Sequence, residues 1–362
     1  MVGTELLTER RTWKMKRLHK MLAVFLSCVL FTVLFVGCGA GKQNTVQETT
    51  GTENAQQENS TENNRDVSVK VAALKGPTAI GMVQMMKNAK EGTAQKKYEF
   101  QIAATADEFT AALIKGEVQI AALPCNAAAT LYNKSNGKIQ VLGINTLGVL
   151  YILDTGNAVQ SVSDLKGKTI YTTGKGTTPE YTLRYLLKSA GIDPDKDVTI
   201  EFKSEAAEVA AVMAQSSEEV IAMLPQPYVT TVMMNNEKAR IALDVTKEWE
   251  NLTGAESTVV TGVVVVNAEY YKNNKETVEA FMKEYNESVA YVHSDVEGAA
   301  QLVEEFDIFK AAVAKKAIPN CNITLIEGSQ MKTKIENYLK VLYDENQASI
   351  GGNMPDDAFY IQ

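Results

Sequence analysis

The pentapeptide Ile120-Ala121-Ala122-Leu123-Pro124 returns 101 residues later as Ile221-Ala222-Met223-Leu224-Pro225. In both places an apolar strand runs into Leu-Pro, and helical stretches follow over 127–132 and 229–234. A second pair obeys the same order at an offset of 98 residues. Val71-Ala72-Ala73-Leu74-Lys75-Gly76-Pro77-Thr78 reads as strand, glycine-containing loop and threonine. Ala79, Ile80, Met82, Val83 and Met86 then share one helical face. Its partner is the strand over 168–171, the loop Gly174-Lys175-Gly176-Thr177-Thr178-Pro179, and Leu183, Leu186, Leu187 and Ala190 at helical spacing up to Gly191. Two strand–turn–helix units repeated in the same order predict an α/β protein with two similar lobes. Ligands in open α/β sheets bind outside the carboxyl ends of strands, so all four turns are expected to face a central cleft.

The loop at 174–178 is the richest of the four. Gly174 and Gly176 permit a tight turn and close approach to a ligand. Thr178 reads as an N-cap with Pro179 at the first helical position, where a missing N–H costs nothing. The helix start offers N–H groups and partial positive charge, which suits an anion or polar ligand; a well-capped structural turn fits the same residues. The loop lacks the Gly-Lys-Ser/Thr ending of a phosphate-binding loop and the third glycine of a dinucleotide fingerprint.

The two lobes start well inside the chain. Arg10, Arg11, Lys14, Lys16, Arg17 and Lys20 precede an uncharged apolar run over 21–36, shorter than the roughly 20 residues of a membrane span. The run ends Leu34-Phe35-Val36-Gly37-Cys38, which resembles a bacterial lipoprotein signal with a lipobox, Cys38 being the lipidated residue; Phe35 stands where leucine is usual. Met15 is a second plausible start. Residues 1–37 are thus expected to be a lipoprotein signal peptide. Residues 38–66, dominated by Gln, Asn, Thr and Glu, are expected to be a disordered tether, because they hold too little apolar surface to offset the entropy of ordering. Losing six basic and two acidic side chains with the leader leaves 30 basic against 42 acidic, a net charge of −12. A chain so acidic has no basic stripe for nucleic acid.

Further along, residues 67–148 and 263–362 are expected to form lobe 1 with C-terminal helices, and 149–262 lobe 2. The apolar strand over 262–267 returns the chain to the first lobe, and helical patterns run from Lys275 onward.

Chemistry at the four turns is polar and uncatalytic. His19 lies in the leader, and His293 falls in an amphipathic helix pattern, where it reads as a surface residue. Neither a Ser/His/Asp nor a Cys/His set can be assembled around it. Metal ligands are equally scarce, and no cofactor is expected. Cys125, in a turn, and Cys321, in a distant helical region, are poorly placed to pair.

Taken together, the signal and lipobox, the polar tether, and Gly-Pro-Thr, Leu-Pro-x-Asn, Gly-Lys-Gly-Thr-Thr and Leu-Pro-x-Pro at the four turns resemble a substrate-binding protein of an ABC importer. Within that group the chain is similar to the type II periplasmic-binding fold of the nitrate/taurine/sulfonate branch, whose relatives include binders of thiamine pyrimidine precursors. Leu165-Lys166-Gly167-Lys168-Thr169-Ile170 matches that branch's opening of the second lobe, and the resemblance spans about residues 67–345. It implies a monomer that captures a small solute between two hinged lobes and delivers it to permease and ATPase subunits, anchored by lipid on the extracytoplasmic face of the membrane. By position it implies ligand contacts from Gly76, Pro77, Thr78, Pro124, Cys125 and Asn126 in one lobe. From the other come Gly174, Gly176, Thr177, Thr178, Pro225, Gln226 and Tyr228, with Tyr151 and Glu256-Ser257-Thr258 as weaker candidates. For Thr78, Asn126 and Thr178, capping their own helices is the competing role. Lys75 and Lys175 favour an anion such as a sulfonate or carboxylate; Met82, Tyr151 and Tyr228 suit a flat heterocycle. Fungal pyrimidine-synthesis enzymes share this fold, and the lack of a histidine among the candidate site residues speaks against that activity. A sensing or adhesive surface lipoprotein without a transport partner is the alternative role.

Overall fold

A computed structural model describes residues 68–216, 218–254 and 257–362. The expected signal peptide, tether, Cys38 and Glu256 lie outside the described residues.

The chain opens with β1 (Val69–Leu74), a short α1 (Pro77–Ile80) and α2 (Val83–Glu91). There follow β2 (Tyr98–Ala103), α3 (Asp107–Lys115), β3 (Ile120–Pro124), α4 (Cys125–Ser135) and β4 (Ile139–Leu147). After β5 (Leu150–Asp154) come β6 (Thr169–Thr172), α5 (Thr178–Ser189), β7 (Thr199–Phe202), α6 (Ala206–Gln215), β8 (Ile221–Pro225) and α7 (Tyr228–Asn235). Then β9 (Arg240–Asp244) and α8 (Val245–Thr253) lead to β10 (Val260–Asn267). The remainder is α9 (Ala268–Asn273), α10 (Lys275–Ser294), α11 (Val296–Glu305), α12 (Ala311–Ala317), β11 (Ile323–Ile326) and α13 (Gly328–Glu345).

These strands form two sheets, of order β11-β4-β10-β3-β1-β2 and β7-β6-β8-β5-β9. In each, the repeated strands run parallel, β1 beside β2 and β3, β6 beside β7 and β8. One strand arriving from the other lobe is inserted antiparallel next to the Leu-Pro strand. Gly262 of β10 pairs with Pro124, and Leu150 of β5 pairs with Pro225. The chain therefore crosses between lobes twice, once around Gly148 and once before Val260, and both crossings enter beside a Leu-Pro end.

Alternation on the strands sorts the cores. Val69, Val71 and Ala73 face α2, α10 and α11, where Met82, Met85, Phe281 and Tyr285 are buried. Ala72, Leu123, Val263 and Val265 face α3, α4 and α13, against Phe109, Leu113, Ile335 and Leu339. The second sheet has a smaller core on each face, around Leu183, Leu186 and Met223 on one side and Val209, Met213 and Leu224 on the other. Met82, offered above for contact with a flat ligand, is fully buried in the first lobe's core and far too enclosed for that role.

Four elements lie outside the sequence expectation: β9, α8, α9 and β11. On α8, Trp249 is buried in the first lobe's core, its ring 4.6 Å from Tyr185 of α5 and 5.2 Å from Tyr338 of α13. Its indole N–H donates to Ser257 Oγ at 3.1 Å. An aromatic side chain with its polar atom satisfied is a strong anchor, and this one ties the second crossing to both lobes. Among the described residues, no helix is long and apolar enough to cross a membrane.

Candidate functional site

The first turn is shaped by Gly76, whose φ of 145° and ψ of −154° belong to a region essentially reserved for glycine. Its carbonyl accepts from Ala79 N and Ile80 N and so starts α1. Thr78 does not cap that helix; its hydroxyl donates back to Leu74 O at 2.8 Å. At the second turn Pro124 is the N-cap, and Asn126 lies inside α4 rather than capping it. Its side chain, fully buried, reaches out instead. Nδ2 donates to Ser349 O at 2.9 Å and to Gly176 O at 3.4 Å, and Oδ1 accepts from Thr178 Oγ1 at 3.2 Å. The last two join the two lobes.

The third turn corrects the expected cap. Thr177, with extended backbone, is the N-cap of α5, and Thr178 is already helical. Thr178 is fully buried, and its hydroxyl donates to Asn126. Thr177 Oγ1 donates to Gly174 O at 2.7 Å, and Thr177 N donates to the same carbonyl at 2.9 Å. Gly176 N donates to the Glu180 carboxylate at 2.6 Å, and Glu180 in turn pairs with Arg184 Nε at 2.9 Å. The loop thus already holds a carboxylate from its own helix, a variant of the capping box. At the fourth turn Gln226 is buried, its Oε1 accepting from Thr230 N at 3.2 Å and Thr230 Oγ1 at 2.8 Å. Tyr228 packs edge-on against Phe309 of the first lobe with centroids 5.0 Å apart.

Between these turns lies a cavity of about 480 Å³, walled by both lobes. That size suits a small solute. Of the expected residues, Pro124, Gly174, Thr177, Thr178, Pro225 and Tyr228 line it, as do Lys75 and Lys175. Gly76, Pro77, Thr78, Cys125, Asn126, Gly176 and Gln226 stand outside its wall, and Thr78, Asn126, Gly176 and Gln226 have polar atoms bonded to the chain itself. Of the weaker candidates, Ser257 accepts the Trp249 indole N–H and Thr258 Oγ1 donates to Glu250 at 2.8 Å. Tyr151 is half-buried; burial first, then Asp244 and Cys321, push its phenol up to about 12. Cys125 and Cys321 are free and buried.

The sequence reading missed part of the wall. Thr105 and Asp107 come from the turn after β2, and Lys203, Ser204 and Glu205 from the turn after β7. These two turns are a third repeat. Glu108 accepts from Ala104 N and Thr105 N, both at 2.9 Å, and Glu208, 100 residues later, accepts from Ser204 N at 3.2 Å. The glutamate four residues after Ala104, and again four after Ser204, was the available signal. Thr261, on the crossing strand β10, also lines the cavity.

Charge in the cavity is mixed: Lys75, Lys175 and Lys203 against Asp107 and Glu205. Two of the lysines lean on aromatic faces, Lys175 Nζ at 5.7 Å from the Phe202 centroid and Lys203 Nζ at 5.4 Å from that of Tyr171. Tyr228 is raised by burial and then by Glu205. His293 is a surface residue whose Nε2 meets Ile323 O at 2.8 Å. Among the described residues no group of His, Cys, Asp and Glu is arranged to hold a metal ion.

Residues 137–299 match the model of the NMT1/THI5-like family. No curated protein matches the chain. An ABC transporter structure from Parabacteroides distasonis is 24% identical, with 82% of this chain and 99% of that one covered and a TM-score of 0.67. The periplasmic aliphatic sulphonate-binding protein SsuA of Escherichia coli is 16% identical, covering 80% of this chain and 92% of that one, with a TM-score of 0.63. A Candida albicans protein described as having the generic periplasmic binding protein fold is 15% identical, with 81% and 93% covered and a TM-score of 0.54. The fold of this chain is therefore the periplasmic-binding-protein fold, with two α/β lobes around a cleft.

Proposed function

We propose that this chain is the extracytoplasmic solute-binding component of an ABC importer, which captures a small organic or anionic solute between its lobes and hands it to a permease driven by an ATPase. The observation that carries the reading is the cavity of about 480 Å³ whose walls come from the strand-end turns of both sheets. Ligand contacts are assigned to Pro124, Gly174, Thr177, Pro225 and Tyr228 on its wall, with the fully buried Thr178 fixing the loop through Asn126. Gly76, Pro77, Thr78, Cys125, Asn126, Gly176 and Gln226 would act from behind that wall by setting its shape. The protein is read as a binder and not an enzyme, a monomer, held at the membrane by lipid on Cys38 after removal of residues 1–37 and tethered through 38–66.

The deciding experiment is a thermal-unfolding screen of the full chain against sulfonates, carboxylates, nitrate and pyrimidines. A matched solute at 100 times its dissociation constant adds about 2.7 kcal/mol of stability. A melting curve unmoved by every class would remove the solute-binding reading.

A further inference from the structure

One group of buried polar atoms in the first lobe has no use in the account above. Both polar atoms of the Asn145 side chain, Thr146 Oγ1 and Tyr285 OH are buried without a hydrogen-bond partner, and so is Thr261 Oγ1. Asn145, Thr146 and Tyr285 are wholly enclosed. Groups of this kind are rare in folded proteins, because burying a polar atom unpaired is costly.

Their placement is specific. Asn145 and Thr146 are the last residues of β4 before Leu147, and Thr261 and Gly262 follow Val260 at the start of β10, at the cleft end of the first sheet. The register between the two strands slips here. Val260 faces Leu147, Gly262 faces Thr146 and Val263 faces Ile144, which leaves Asn145 opposite no residue. Two glycines let these side chains pack directly against the backbone. A Cβ on Gly262 would stand 2.6 Å from Asn145 Oδ1 and 2.9 Å from Thr78 Cγ2, and one on Gly81 would stand 3.0 Å from Tyr285 OH. Burial raises the Tyr285 phenol and the neighbouring Asn145 side chain lowers it, which places the two side chains next to each other. The cluster begins one residue along β10 from the cavity-lining Thr261.

We propose that Asn145, Thr146, Thr261 and Tyr285 form a polar subsite, entered from the cavity past Thr261, for an uncharged donor–acceptor group of the solute such as a carboxamide or lactam. This rests on the solute-binding reading of the cavity. The chemistry selects the class. Asn145 offers an acceptor and two donors, and the three hydroxyls serve as either. No charged side chain belongs to the cluster, so a carboxylate or sulfonate there would lose its hydration with no countercharge. In the opposite lobe the Gly176 N–H is already taken by Glu180. An acidic group of the same solute, where it has one, belongs near Lys75.

The test uses the full chain and probes matched in skeleton but not in head group: benzamide, benzoate and benzenesulfonate, then nicotinamide and nicotinate. Melting temperature ranks them, and calorimetry gives dissociation constants for the best. The expected result is that amides stabilise more than their anions. Tyr285→Phe, which removes one oxygen, should weaken amide binding by roughly three- to tenfold, as loss of one hydrogen bond does, without lowering the melting temperature of the unliganded protein. Asn145→Ala should weaken it at least as much; if that variant does not fold, Tyr285→Phe decides alone. Anions that stabilise while amides do not would overturn the subsite and leave the solute-binding reading standing. Amide binding unchanged in Tyr285→Phe would do the same. No stabilisation by any head group would remove the solute-binding reading and this inference with it.

Discussion

Replacing Asn126 by alanine cuts the hydrogen-bonded joint between the lobes. The side chain is fully buried and makes three contacts: Ser349 O at 2.9 Å, Thr178 Oγ1 at 3.2 Å and Gly176 O at 3.4 Å. Only the first has optimal length, so about 1 kcal/mol is assigned to it and less to the others. The partners left behind matter more, since an unpaired buried group costs about 1–3 kcal/mol. Ser349 O keeps a contact from Thr130 Oγ1 at 3.4 Å, which softens its loss. Thr178 lies near the Tyr338 hydroxyl, which offers it a substitute. The expected total is about 1.5–3 kcal/mol for Asn126→Ala and about 0.5–1.5 for Thr178→Val, which removes the Asn126–Thr178 pair alone. Urea unfolding of both singles and the double gives the coupling, expected at about 0.5–1.5 kcal/mol. If both singles fall within about 0.5 kcal/mol of wild type, or if their effects simply add, the contact is geometric only and the reasoning fails.

Three further outcomes are expected. Cys38→Ala should leave the precursor uncleaved or release unlipidated protein, read by mass spectrometry and membrane fractionation; native Cys38 found unmodified with 21–36 retained would exclude the lipid anchor. Gly174→Ala should destabilise more than Gly176→Ala in urea unfolding. Both glycines have positive φ, 72° and 77°, at a cost of about 1–2 kcal/mol, but only at Gly174 would the new Cβ strike Thr177 Oγ1 and Pro179 Cγ, at 2.7 and 2.8 Å. The raised Tyr151 phenol keeps its proton in the fold at pH values where the unfolded chain has lost it. Its contribution is whole below pH 10 and fades as pH rises through about 12. Tyr151→Phe should flatten the fall in stability measured above pH 10, and an unchanged slope would rule Tyr151 out as its source.

How much was visible in the sequence follows the range of each interaction. Strand ends at Leu123-Pro124 and Leu224-Pro225 and the glycine turns are local signals, and the sheets form around them. Adjacent threonines at 177 and 178 are locally equivalent caps. What separates them is Asn126, 52 residues from Thr178, and no local pattern carries that. β9 is an edge strand with Ile241 exposed, so its alternation is weak, and α8 buries only Val245 and Trp249. β11 has four residues and sits at the opposite sheet's edge. The third repeated turn went unread because its two copies share little beyond the alanine and glutamate of Ala-Asp-Glu108 and Ala-Ala-Glu208. The asparagine subsite was invisible, because it arises from a register slip between strands over 100 residues apart.

The position of β10, between β4 and β3, has a consequence for the order in which the molecule can assemble. The second sheet is built wholly from 150–244 and can close from one continuous stretch. The first cannot. Until residues 260–267 arrive, β3 and β4 have no strand to join them, and each shows an open apolar edge of the kind that recruits other chains. The N-terminal lobe is therefore the last to be completed, with its closing contacts spanning well over 100 residues, so folding should be slow at that step and the emerging chain vulnerable to aggregation until β10 is in place.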